Sequence, residues 1–227
     1  MMLMAGPQHN KQQAHKGSLM LRILGRNNSS NVQKVLWCCD ELAIPYRRED
    51  FGGEFGKVND SEYMSLNPNS RVPTIVEDDG FSLWESNVIT RYLADKYGKG
   101  GLMPRDPRQR ADADRWMDWQ QTTVLPFMTP IFWGLVRTAE ADRDMAAIDG
   151  HITAGAAIFE ILESRLSGRD FIVGDRLSVA DIPNAIMVYR WFALVENGPE
   201  FPAMRAWFDR LGDCSGFRKH VLDLPLT

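Results

Sequence analysis

Residues 67–97 read NPNSRVPTIVEDDGFSLWESNVITRYLADKY, and the pattern changes character twice within them. Thr74, Ile75 and Val76 make a short β-prone run, and DDG at 78–80 supplies residue types that tolerate the positive φ of a tight hairpin turn. FSLW at 81–84 resumes the extended pattern, so two antiparallel strands are expected at 74–77 and 81–84. From Ser86 the period becomes helical and runs to Tyr97. Ser86 is a residue type that caps a helix, so its hydroxyl and the free N–H groups behind it make a place for an anion. Pro73 stands just before an apolar strand, where a proline either blocks pairing or imposes a special backbone turn.

Toward the N-terminus, Leu19, Leu21 and Ile23 alternate with their neighbours and predict a strand over 19–25. The loop GRNNSSNVQKVLW (25–37) then leads into a helix over 32–42, in which Val32, Val35, Leu36, Cys39 and Leu42 recur at helical spacing. Ser30 or Asn31 is the expected cap, which gives a second helix N-terminus rich in small polar groups. A strand over 46–50 and a short helix over 60–66 complete an alternating α/β layer. Two such helix starts on one small layer suit a ligand with a carboxylate at one end and a thiolate elsewhere. Beyond the Gly- and Pro-rich link YGKGGLMPRDPRQR (97–110) no strand pattern returns, and helical periods occupy 107–125, 144–166, 178–195 and 201–212. Pro126 and Pro130 are expected to bend or break the helical chain around them. Ser178 and Asp181 fit a capping box, with Leu177 and Ile182 as its hydrophobic staple, and this reading gives Asp181 a role in folding rather than in turnover.

Composition bounds the rest. The chain has 227 residues, 44% hydrophobic and 25% charged, with a formal net charge of −4, which suits a globular protein of one large or two small domains and argues against a nucleic-acid or anionic-membrane partner. Three cysteines, Cys38, Cys39 and Cys214, make no disulfide framework or C-x-x-C pair, which points to a reducing, cytoplasmic setting. The longest uncharged run, 120–136, holds two prolines and falls short of the roughly 20 apolar residues of a membrane span. The histidines lack ligand spacing, so no metal is expected. Residues 1–18 are polar and aperiodic and are read as a disordered extension.

The block at 67–97, the strand-loop-serine-helix start and LSVADIPNA at 177–185 together resemble the cytosolic glutathione S-transferases, of a bacterial theta- or zeta-like serine or asparagine type. The likeness implies an α/β thioredoxin-like N-terminal domain over 19–98 and an all-α helical C-terminal domain over 106–222. It also implies a cytoplasmic homodimer, glutathione as co-substrate, and transfer of the thiol to a small apolar, aromatic electrophile. Residues matching Glu85 and Ser86 hold the γ-glutamyl end in that family. The proline matching Pro73 is usually cis, and the backbone matching Val72 pairs with the cysteinyl part. Counting back six residues from Val35 gives Ser29 as the catalytic serine of theta- and zeta-like members, while some bacterial members use an asparagine that matches Asn31.

The physical task is the same for Ser29 or Asn31. A free thiol with a pKa of about 8.5 is mostly protonated at neutral pH, and a hydrogen-bond donor at a helix N-terminus favours the thiolate. For the glycyl carboxylate, Lys57, Arg71 and Asn69 are the candidates, with Arg71 and Lys57 ranked equal. Trp119, Met128, Phe132 and Trp133, with Arg115 to orient a negative substituent, are the candidates for the electrophile pocket; Arg137 is a further cation there. Phe55, apolar in a Gly-rich loop, is a candidate for burial in a dimer contact. Glutathione-dependent reduction of disulfides or peroxides, and non-catalytic binding of ligands or proteins, are the alternative functions; a protein-thiol mechanism is disfavoured because serines occupy the helix start where it would need a cysteine.

Overall fold

A computed structural model describes residues 20–227; the expected extension and the first residue of the expected first strand lie outside the described residues. The N-terminal part runs β1 (Leu21–Leu24), α1 (Ser30–Glu41), β2 (Tyr46–Glu49), α2 (Ser61–Leu66), β3 (Thr74–Val76), β4 (Ser82–Trp84) and α3 (Ser86–Tyr97). The sheet order is β2-β1-β3-β4. β1 pairs parallel with β2, Leu21 opposite Tyr46, and antiparallel with β3, Ile23 opposite Ile75. β3 and β4 are antiparallel, as the DDG turn requires, and Gly80 takes the positive φ of +88° in that turn.

The period of two in the strands sorts the layer into faces. Leu21, Ile23 and Ile75 join the main core with residues of α1 and α3, whereas Leu24 and Val76 pack on the opposite face with Tyr63 of α2. Tyr63 is fixed there by its hydroxyl, which donates to the Arg71 carbonyl (2.6 Å) and bonds to Thr74 Oγ1 (2.9 Å). α1 is buried continuously from Val32 to Cys39, so it is a central helix rather than a surface one.

The remainder is helical: α4 (Pro107–Trp119), α5 (Leu125–Phe132), α6 (Met145–Leu166), α7 (Asp181–Leu194), α8 (Pro202–Leu211) and the short α9 (Ser215–Phe217). Asp106 caps α4 by accepting from the Arg108 and Gln109 N–H groups. Of the two outcomes expected of the prolines, a bend or a break, no break occurs. Pro126 lies in the first turn of α5 and Pro130 inside it, and the helical path is continued by wide π turns at Gln120–Val124 and Trp133–Arg137. The capping box is present with a refinement. Asp181 Oδ2 accepts from the Ser178 N–H (2.8 Å) as expected, and the Ser178 hydroxyl donates to the same oxygen while accepting from the Ala180 N–H. Asp181 Oδ1 also accepts from the Ile172 N–H (3.0 Å) and Trp207 Nε1 (2.9 Å), so this carboxylate joins three segments of the bundle.

α6, with a mean hydropathy of 1.3, is the one helix among the described residues long and apolar enough to cross a membrane by length and composition. Its Phe159 and Leu162 lie in the core, and at Gly155 an added Cβ would come within 2.6 Å of Phe127 and 2.8 Å of Trp191. The two halves share one apolar cluster, joined through α1, where the rings of Trp37 and Phe217 lie 4.7 Å apart.

Candidate active site

Two adjoining cavities, of about 280 and 400 Å³, form a cleft between the sheet layer and the helical half, and Asn31, Arg71 and Leu125 line both. The smaller is built by the block that decides the fold. Val72–Pro73 is a cis peptide, and both residues line this cavity with Asn67, Asn69, Trp84, Glu85, Ser86 and Gln121. Glu85, not Ser86, is the cap residue of α3. Its φ of +72° is a conformation that costs a side-chain-bearing residue roughly 1–3 kcal/mol. Ser86 is the first helical residue; its hydroxyl donates to Asn31 Oδ1 (3.2 Å). The two serine-bearing helix starts are thereby tied together.

Behind Ser86 stands a group the sequence reading missed. Lys34 of α1 is 1% exposed, and its ammonium donates to Asn87 Oδ1 (3.0 Å), Gln120 Oε1 (3.0 Å) and, at 3.4 Å, Ser86 Oγ. Burial pushes its pKa down to about 7, against the opposing pull of the Glu85 charge. The lysine therefore joins α1, α3 and the π turn after α4 directly beneath the cleft. Its signal in the sequence is that α1 carries Trp37 and Cys38 off its expected apolar face, the mark of a helix buried all round.

The larger cavity is lined by the β1–α1 loop (Arg26, Asn28, Ser29), by Ser30 at the start of α1, by Gly53 and Glu54, by Thr129, Phe132, Trp133 and Arg137 of the helical half, by Arg190 of α7 and by Thr227. Ser29 caps α1 in place of the expected Ser30 or Asn31. It does so through its carbonyl, which accepts from the Gln33 N–H (2.9 Å), and its hydroxyl makes no capping bond. Ser29 lines the cavity at the positive end of a 12-residue helix, and its hydroxyl has no partner among the described residues, so it is free to donate to an anion. Asn31 is a donor here as well: its side-chain oxygen accepts from Ser86, and its amide N–H groups have no partner among the described residues.

Several expected pocket residues lie elsewhere. Lys57 is outside the cleft, over the ring of Phe51 at 5.5 Å, beside a separate small cavity; of the two cations ranked equal, only Arg71 is in place. Met128 is fully buried in the core, Trp119 packs edge-on against Trp116, and Arg115 is exposed and paired with Asp112. Phe132 and Trp133 do line the cleft. Arg115 and Trp119 lie on α4, outside the cleft lining, whereas the lining residues of the helical half come from the chain after it, from Gln121 onward and from α7.

The family of the glutathione S-transferase N-terminal domain matches residues 28–96, and that of the glutathione S-transferase C-terminal domain matches residues 121–212. Glutathione S-transferase GstB of Escherichia coli is 38% identical over 209 residues, covering 92% of this chain and all of that protein. The chain belongs to the glutathione S-transferase family. Among solved structures, the theta class glutathione S-transferase of Xanthomonas axonopodis pv. citri with glutathione bound is 40% identical and superposes with a TM-score of 0.86 over 91% of this chain and 99% of that one. A glutathione transferase from Phanerochaete chrysosporium, solved with oxidized glutathione, shares the fold at 23% identity and a TM-score of 0.80, over 90% of this chain and 94% of that one. The thioredoxin-like layer and helical half described above are the architecture of this transferase family.

Proposed function

We propose that this transferase binds glutathione in the cleft and activates its thiol as the thiolate for attack on a small electrophile. The observation that carries the reading is convergence: cis Val72–Pro73, Glu85–Ser86 at the start of α3, and the free Ser29 hydroxyl at the start of α1 all meet in one cleft. In this reading the γ-glutamyl carboxylate takes the Ser86 hydroxyl and the N–H groups of α3, and Glu85 receives the ammonium. The Val72 backbone pairs with the cysteinyl unit, and Arg71 takes the glycyl carboxylate. Ser29 donates a hydrogen bond to sulfur, and the helix N-terminus adds to the preference for the anion. The electrophile lies against Phe132, Trp133 and Leu125. We further propose a cytoplasmic homodimer, in which the exposed Phe55, Phe81 and Val88 are apolar surface for a second copy to cover.

Reduction of disulfides or peroxides by this protein would have to run on the sulfur of glutathione itself. Cys38 and Cys39 are buried with their thiol pKa pushed up by desolvation, Cys214 is pushed up to about 11, and none of the three lines the cleft. Calorimetric titration with glutathione tests the site, with Glu85→Ala and Ser86→Ala expected to weaken affinity at least tenfold while moving the bound thiol's pKa little. Unchanged affinity in both variants would remove the assignment. Sedimentation at micromolar concentration checks the dimer, and a stable monomer would overturn it.

A further inference from the structure

The larger cavity holds more positive charge than glutathione's glycyl carboxylate needs. Besides Arg71 it is lined by Arg26, Arg137 and Arg190; its one acidic side chain, Glu54, is exposed and forms no ion pair among the described residues, and Thr227, the last residue of the sequence, lines it too, its hydroxyl accepting from Asn28 (2.8 Å). Arg190 is 9% exposed, and its side chain makes no hydrogen bond or ion pair among the described residues; its guanidinium lies on the face of Phe132 at 4.0 Å. Arg137 approaches the same ring at 5.8 Å. Arg26 gives one nitrogen to Asn28 (2.8 Å), while its Nε is buried without a partner. A buried guanidinium without a carboxylate is costly, and the cation–π contact with Phe132 offsets only part of that cost. The neighbouring arginines repel one another, and burial together with the charges of Arg137 and Arg26 lowers the pKa of Arg190 to about 10. An arrangement of this kind is relieved by an anion entering the cavity.

We propose that the electrophile accepted here carries its own anionic group, a carboxylate or sulfonate, held by Arg137 and Arg190 with Arg26 beside them. This rests on the glutathione reading given above. Arg71 and the Gly53–Glu54 turn belong to the sheet layer, along which glutathione is placed, whereas Arg137 and Arg190 project from the helical half on the other wall. Their anion is therefore that of the second substrate. Its apolar body lies along Phe132 and Trp133, and its reactive carbon is presented to the sulfur near Ser29. For an aryl chloride, the thiolate forms the C–S bond, the C–Cl bond breaks with both electrons leaving on chloride, and the thiol proton passes to solvent. The anionic group takes no part in the bond changes; it supplies binding and orientation.

The test uses a matched pair, 4-chloro-3-nitrobenzoate and its neutral amide 4-chloro-3-nitrobenzamide, with the full-length enzyme. Wild type should favour the benzoate in kcat/KM relative to the ratio of the two uncatalysed reactions, and added salt should erode that preference. Arg137→Gln and Arg190→Met should each lower the benzoate-to-benzamide ratio about tenfold, the scale of one charge-assisted contact. Arg137 is exposed, so its variant keeps the test decisive if the buried Arg190→Met fails to fold. No preference in wild type, or an unchanged ratio in Arg137→Gln, overturns the proposal. A loss of glutathione affinity in these variants with the ratio intact also overturns it, by giving the arginines to the glycyl carboxylate. Calorimetry with each compound alone separates the two readings. Benzoate binding without glutathione binding keeps the anion site and removes the glutathione assignment; glutathione binding without selectivity for the benzoate does the reverse.

Discussion

Ser29 is where a single hydroxyl is expected to set reactivity. It occupies the cap position of α1 without spending its side chain on the cap, so the donor and the helix N-terminus act on the same point in the cleft. Removing one charge-assisted donor worth roughly 1.5–3 kcal/mol corresponds to a rise of about one to two units in the thiol pKa of bound glutathione. Ser29→Ala should therefore lose conjugation at neutral pH, retain glutathione affinity, and regain rate as pH approaches 9. Ultraviolet titration of the bound thiolate beside pH–rate profiles checks this. The same pattern in Asn31→Ala, with an unshifted thiol in Ser29→Ala, would transfer the role to the amide. Ser29 and Asn31 were named as candidates by the resemblance of this helix start to the family, while the polar loop between two apolar runs showed only that a helix N-terminus lies there. Lys34 and Arg190 were not, because a charged residue within a helix ordinarily faces solvent and only the third dimension places it inside.

At the scale of elements, most strands and helices were read within a few residues because their periods are local, and the hairpin was read from the DDG turn; the cis Val72–Pro73 bond was implied by the family resemblance. Which residues of the helical half face the cleft was read only in part: Phe132 and Trp133 line it, whereas Met128 is buried in the core, and nothing in a 3.6-residue period announces the π turns between α4 and the end of that segment. Two predictions concern how elements are joined. Lys34 ties α1 to α3 and to the turn after α4, and its pKa in the folded state, about 7, lies far below the ordinary lysine value of 10.5. Between those values the unfolded chain holds one more proton than the folded one, so raising the pH favours folding; below pH 7 the difference is flat. The urea stability of wild type relative to Lys34→Met should thus climb from pH 7 to 8.5 by up to about 1.4 kcal/mol per unit. A flat difference across that window would mean that the ammonium stays charged when buried. At the start of α7, Asp181→Asn turns one acceptor oxygen into a donor against N–H groups of the protein, with an expected loss of roughly 2–4 kcal/mol. The activity of the folded fraction should persist, which a urea midpoint measured beside glutathione turnover will show.

The whole molecule is organised around α1, whose inner face completes the sheet layer and whose outer face belongs to the helical half. Trp37 is the joint: it is fully buried, its ring packs on Phe217, and its Nε1 donates to Glu41 (2.9 Å). The fit is close, for a Cβ added at Gly216 would stand 2.6 Å from Trp37 Cδ1. Asp40, one turn on, receives Lys219 (2.7 Å) and His220 (2.9 Å) from the far end of the chain. The apolar cluster runs from Leu21 in β1 to Val221 without a break between the halves. Separating the halves would expose the outer face of α1, Trp37 included, and burial of large apolar side chains is worth roughly 1.5–3 kcal/mol each. The thioredoxin-like layer and the helical half should accordingly unfold together. In urea, far-ultraviolet circular dichroism, which is dominated by the helical half, and fluorescence of Trp37 in a variant keeping it as the sole tryptophan of the α1 joint, with Gly216→Val as a wedge beside it, should give coincident transitions. Gly216→Val should shift both curves to lower urea by the same amount, since the strain is placed in a core common to both halves. Two separated transitions, with the wedge moving only one of them, would instead make the halves independent folding units that merely touch.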